Sequence, residues 1–207
     1  MKVRKLSIIA CMFYLVQGCA LAQTESAPAS TSASPAQSQF KPLTQGERFH
    51  HFVTGTFNAE SVLRAAAGAA ILQATNTPSE WGQGGDGYAR RFANDYAQHV
   101  IRQTIMYGAA DLLHEDNRYF PSERTGAMPR LKYAVESTFL ARKDDGTRRL
   151  SWSRLGAIAA TAFISREWQP PSTRGPEHAA ASFGTVVGAE AGFNIAREFF
   201  PKIFHSH

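Results

Sequence analysis

Four polar side chains at helical spacing are the first candidates for chemistry. Arg91, Asp95, His99 and Arg102 follow one another at steps of four, four and three, which places them on one stripe of a helix. A carboxylate one turn from an imidazole can orient the ring and stabilise its protonated form, so Asp95 with His99 could serve as a general base. The same spacing also builds an i,i+4 ion-pair ladder with no catalytic content, and that plainer reading is preferred. A second cluster, His114-Glu115-Asp116, is consecutive. Its side chains point apart and need partners from elsewhere to form a site. The expected role is local, closing a helix ahead of Pro121, with a hydrolytic role for His114 as the alternative.

Other chemistries find little support. His50 and His51 are adjacent and His205 and His207 lie at the chain end, so no pair of imidazoles shares a helical face. No metal site and no cofactor is expected. There is no nucleophile elbow, phosphate loop or dinucleotide fingerprint, and the stretch WGQGGDG (81–87) reads as a turn. The remaining candidates are cations around a turn at Asp145-Gly146: Arg142, Lys143, Arg148, Arg149 and Arg154. They are expected to meet anionic lipid headgroups or an acidic envelope protein.

These residues need elements to position them. Thr44 and Glu47 spell a capping box ahead of a first helix, and Asn58 caps a second over 59–75. A third helix is expected over 88–113, a fourth from Pro129 to about Arg142, a fifth over 153–168 and a sixth from Pro176 to just before Pro201. Residues 148–152 are the one fragment that reads as extended. The sum is an all-α, compact bundle of about six helices. Small residues recur every fourth position: Gly184, Gly188 and Gly192, then Gly156 with Ala160, the set Ser153, Ala157, Thr161 and Ser165, and Ala66, Ala70 and Ala74. Such stripes let helix backbones approach closely, and three glycines on one face are expected to be helix-packing positions because each costs about 1 kcal/mol of helix propensity against Ala.

The chain opens with an export pattern. Lys2, Arg4 and Lys5 precede an apolar run that is too short to span a bilayer, and Ala20-Leu21-Ala22 offers a cleavage site. Gly18-Cys19 offers a competing one, after which Cys19 would carry a lipid. Residues 1–22 are therefore read as a signal peptide, 23–40 as a Ser/Ala/Pro-rich linker and 41–207 as one helical domain. Both cysteines, Cys11 and Cys19, lie in the leader, so the domain has no disulfide. Three of the 22 Lys and Arg residues also lie there, while all 17 acidic residues lie beyond it. The net charge falls from +5 to +2 on cleavage, which removes the main argument for a nucleic-acid partner.

The segments GYARRF, HEDNRYF, WSRLGA and NIAREFFP together resemble a set of bacterial exported proteins without an assigned activity. The resemblance spans most of residues 81–201, and it implies envelope residence and no reaction. The expectation is a non-catalytic binding or scaffolding protein in the periplasm or at the outer membrane. It would act through the Arg-rich turn and the glycine-bearing helix, with self-association compatible. The alternatives are a periplasmic hydrolase using His99 and Asp95 or the His114 loop, and a membrane-embedded helical assembly.

Overall fold

The computed structural model describes residues 40–201; the signal segment, Cys19, the linker up to residue 39 and the two C-terminal histidines lie outside that range. Six α-helices run through the described residues: α1 (Gln45–Thr56), α2 (Ala59–Ala74), α3 (Gly84–Leu112), α4 (Ala127–Phe139), α5 (Trp152–Ile164) and α6 (Pro176–Phe199). Local chemistry explains their starts. Thr44 Oγ1 accepts from the Glu47 N–H while Glu47 Oε2 accepts from the Thr44 N–H at 2.7 Å, so the capping box forms as expected. Asn58 Oδ1 accepts from the Ser61 N–H at 2.7 Å, and Pro176 occupies the first turn of α6.

Helix α3, 29 residues long, is the spine. It packs against α1, α2 and α5; α5 in turn packs on α6, and α6 on α4. It begins four residues earlier than the sequence indicates because the glycine-rich stretch supplies its first turn. Arg91 explains why. Its guanidinium is fully buried and donates to the carbonyls of Thr77, Pro78 and Gly82 and to Gln73 Oε1, tying the α2–α3 connection to the spine. Gly87 is required there: a Cβ would stand 2.5 Å from the Gly82 oxygen and 2.9 Å from Arg91 Nη1.

Helix α4 stops at Phe139, short of the expected Arg142. The chain passes straight into β2 (Leu140–Lys143), which pairs antiparallel with β3 (Arg148–Leu150) on one side and β1 (Glu115–Asp116) on the other. The Asp145-Gly146 turn closes this hairpin. Gly146 has φ +79°, and Asp145 Oδ1 accepts from the Thr147 N–H and hydroxyl. Phe40, placed at the end of the linker by the sequence, belongs to this region: its ring meets Phe120 edge-on at 5.9 Å and underlies the Arg142 guanidinium.

The close-packing residues are small, but they are not the glycines. Ala65, Ala69, Ala134, Ala157, Ala162 and Ala179 are buried, as are Ser153, Thr161 and Ser165. The expected glycine faces are corrected. Gly184, Gly188, Gly192 and Gly156 are exposed, and a Cβ at any of them would meet nothing within 4 Å; Ala160 is half-buried. Two residues of α-helix are a rotation of about 200°, so with Asn194 turned inward Gly192 must face out. The same rotational offset buries Ala65 and Ala69 in α2 and exposes Ala70 and Ala74.

Candidate functional site

A cavity of about 580 Å³ lies where α1, α2 and α3 face β1, α5 and α6. Each element contributes polar side chains at its inner face, among them Arg48 from α1, Glu60 and Arg64 from α2, His99 and Arg102 from α3, Glu115, Asp116 and Arg118 from the β1 segment, Arg154 from α5, and Glu190, Asn194 and Arg197 from α6. Phe52, Met106, Tyr107 and Ile158 supply apolar wall, with the Phe52 and Tyr107 rings stacked at 4.9 Å.

Three of the four carboxylates are already committed. Glu115, 1% exposed, accepts from the Ser153 N–H at 3.0 Å and the Ser153 hydroxyl at 2.6 Å, placing its charge at the start of α5, and Lys143 Nζ stands 3.3 Å away. Burial pushes its pKa up, but the Ser153 bonds and Lys143 outweigh that and the net shift is downward. Asp116 is forked by Arg118 at 2.7–3.0 Å, and Glu60 pairs with Arg64. Glu190 has no ion pair or hydrogen bond.

The cations divide differently. Arg154 donates to the carbonyls of Ser137 and Thr138, at the end of α4, and of Asn117. Desolvation lowers its pKa, and no carboxylate comes within 4 Å of it. Arg102 touches only the His99 ring, its Nη2 standing 3.4 Å from Nδ1. Burial depresses the pKa of both groups, and the Arg102 charge lowers that of His99 further, so the imidazole is neutral near pH 7 and accepts from Arg102 through Nδ1. Its Nε2 is buried without a hydrogen-bond partner. The Gly55 and Thr56 carbonyls lie near enough to favour protonation, but neither meets Nε2 in bonding geometry. Arg197 carries no ion pair or hydrogen bond, and Arg64 Nε is buried and unpartnered.

The predicted residues therefore scatter. His99 lies in the cavity, but Asp95 does not join it. Asp95 faces α2, where Gly68 leaves room for its carboxylate, and accepts from Asn94 Nδ2 at 3.0 Å. Burial raises its pKa to about 6. The His99–Asp95 pair is thus not a dyad. His114 is exposed at the end of α3 and meets Asp144 at 2.9 Å, away from the cavity. The polar stripe on α3 is no ion-pair ladder either, since Arg91 is spent on carbonyls.

Most cations of the Arg-rich turn have partners within the fold. Arg142 lies 4.6 Å over the Phe120 ring, Lys143 donates to the Leu113 carbonyl at 2.6 Å, and Arg148 donates to Ser137 Oγ at 2.8 Å while covering Tyr133. Lys143 and Arg148 thereby tie the hairpin to the end of α3 and to α4, while Arg154 ties α5 to the end of α4. Arg149 is the member of the set that stands exposed with no hydrogen bond or ion pair. Sequence reading passed over Arg64 and Arg197, and it took Glu115 only as part of the His114 loop. One signal was present: Glu190, Asn194 and Arg197 repeat at i, i+4 and i+7, a polar stripe on a helix otherwise rich in Ala and Gly.

Comparison with protein families, with curated proteins and with solved structures finds no match for this chain.

Proposed function

We propose that this is a non-catalytic binding or scaffolding protein of the cell envelope that rests against the membrane surface. One observation carries the reading: large apolar side chains stand exposed on helices whose outward positions carry almost no charge. Arg91, Glu115, Asp116, Arg166 and Glu198 are buried, while Leu63 (68% exposed), Ile71 (66%), Trp152 (64%) and Phe163 (60%) face outward. The exposed positions of α2 and α5 carry no charged side chain, and those of α6 carry only Glu177, in its first turn. Large exposed apolar area marks an interaction surface. Its spread over α2 and α5, rather than one groove, suits a continuous apolar phase, with Trp152 and Trp168 as interfacial residues. The export pattern of residues 1–22 supports the compartment. No helix among the described residues is long and apolar enough to cross a membrane, so the contact envisaged lies along the surface. The glycine-bearing face of α6 retains a part in this reading, as a face turned outward.

The test is vesicle flotation of the Cys19→Ser protein, so that no lipid on that residue contributes. The protein is expected to float with the vesicles, and Leu63→Glu with Phe163→Glu to return it to the aqueous fraction. A Cys19→Ser protein that stays in the aqueous fraction, whether monomeric or as a detergent-resistant oligomer, would overturn the membrane reading.

A further inference from the structure

We propose that the cavity between α3 and α6 is a binding site for an organic anion, whose phosphate or carboxylate head meets Arg102 and Arg197 and whose apolar body lies against Phe52, Met106 and Tyr107. The argument starts from the charges left over once internal pairs are removed. Glu115, Asp116 and Glu60 are each matched within 4 Å, and Arg48 reaches out of the cavity to Asp144 at 3.2 Å. Arg102, Arg154 and Arg197 then oppose Glu190 alone.

Arg102 decides the matter. A guanidinium drawn in from bulk water, as the half-buried Arg102 is at the cavity wall, is best stabilised when charge or several acceptors compensate it. Elsewhere in this protein that rule is kept: Arg91 has three carbonyls and a side-chain amide oxygen, Arg154 has three carbonyls, and Arg166 has two carbonyls and two hydroxyls. Arg102 has one ring nitrogen at 3.4 Å. Its remaining donors are unspent beside a cavity, the arrangement that bidentate recognition of an oxyanion requires. His99, held neutral, positions Arg102 without adding a competing charge. A volume of about 580 Å³ exceeds what a bare inorganic ion fills and falls within the ordinary range for small-molecule sites. The aromatic wall gives the rest of such a ligand an apolar surface. Glu190 faces the same space and opposes any anion, so it sets an upper limit on affinity that its removal should lift.

Titration calorimetry with decyl phosphate and decanoate, against decanol as the uncharged control, tests the site in the full protein. Both anions are expected to bind at least tenfold more tightly than decanol. Arg102→Met should abolish that preference while leaving the melting temperature of the unliganded protein unchanged or higher. Glu190→Gln should tighten anion binding several-fold, and it reports on the site even where Arg102→Met folds poorly. Equal binding of decanol and decyl phosphate, or anion affinity indifferent to both substitutions, would overturn the proposal. Binding to vesicles of anionic phospholipid in place of the free amphiphiles, lost in Arg102→Met, would identify a membrane lipid as the source of the head group.

Discussion

The second half of helix α6 carries two acidic residues two turns apart, Glu190 and Glu198, and their surroundings differ in one respect. Glu198, 2% exposed, is fully answered: it accepts from Tyr119 Oη at 2.6 Å, from the Ser122 N–H at 3.0 Å and Ser122 hydroxyl at 2.5 Å, and from Arg130 Nε at 2.9 Å. Burial pushes its pKa up, yet these donors prevail and hold it at about 2. Arg130 also donates to the Glu198 carbonyl, so one cation closes the last turn of α6 onto α4. Glu190 faces Arg102 and Arg154 across open space, near enough to act on their charges but not to pair. A cluster whose charges are all met by protein groups is scaffold. A cluster with donors left over has room for something else.

The largest expected effect comes from breaking the closed cluster. Glu198→Ala leaves Arg130 and the Tyr119 hydroxyl without their acceptor, and should cost about 3–5 kcal/mol in urea unfolding. Acid should show the same dependence. Because the folded pKa is depressed, the Glu198 contribution is present above the ordinary carboxylate pKa and lost as pH falls toward 2.

A third carboxylate sharpens the contrast by having the opposite sign. Asp95 is half-buried with a single donor, and its pKa is raised to about 6. Its ionised form is penalised above pH 6, and the penalty is relieved as pH falls from there toward 4. Asp95→Asn should therefore stabilise the protein at pH 7 by about 2 kcal/mol, with the gain gone at pH 4. A gain equal at both pH values would show that shape, not charge, governs the site.

The smallest effect is expected at Arg149. With no partner to lose, Arg149→Ala should change stability by no more than about 0.5 kcal/mol, whereas Arg148→Ala removes the bond to Ser137 and the cover over Tyr133 and should cost about 1–2 kcal/mol. Equal costs at the two positions would erase the distinction between committed and uncommitted cations in the turn.

The difference between what could be read and what could not follows the range of the interactions. The starts of α1 and α2 were legible because a cap involves residues three apart, that of α6 because Pro176 suits a first helical turn by its own ring, and the hairpin turn because Asp-Gly acts on its own backbone. The end of α4 was not, since Thr138 and Phe139 continue a helical pattern and only pairing with β1 and β3 makes the next four residues a strand. The His99–Asp95 dyad failed for a related reason. Spacing places two side chains on one stripe, but Gly68 across the interface draws Asp95 to α2, and no property of α3 discloses that glycine.

The sequence alone determined that the described chain is helical and that it keeps its close contacts with small side chains, because caps and side-chain size act within one or two turns. It did not determine which way each small or charged face turns. A rotation of about 100° per residue separates a buried Ala65 from a half-buried Ala66, and that choice is made by all the helices at once. For the same reason the charges of α3, α5 and α6 became a cavity only in the folded chain: each is an ordinary polar residue on its own helix, and their meaning lies in which of them the packing leaves unmatched.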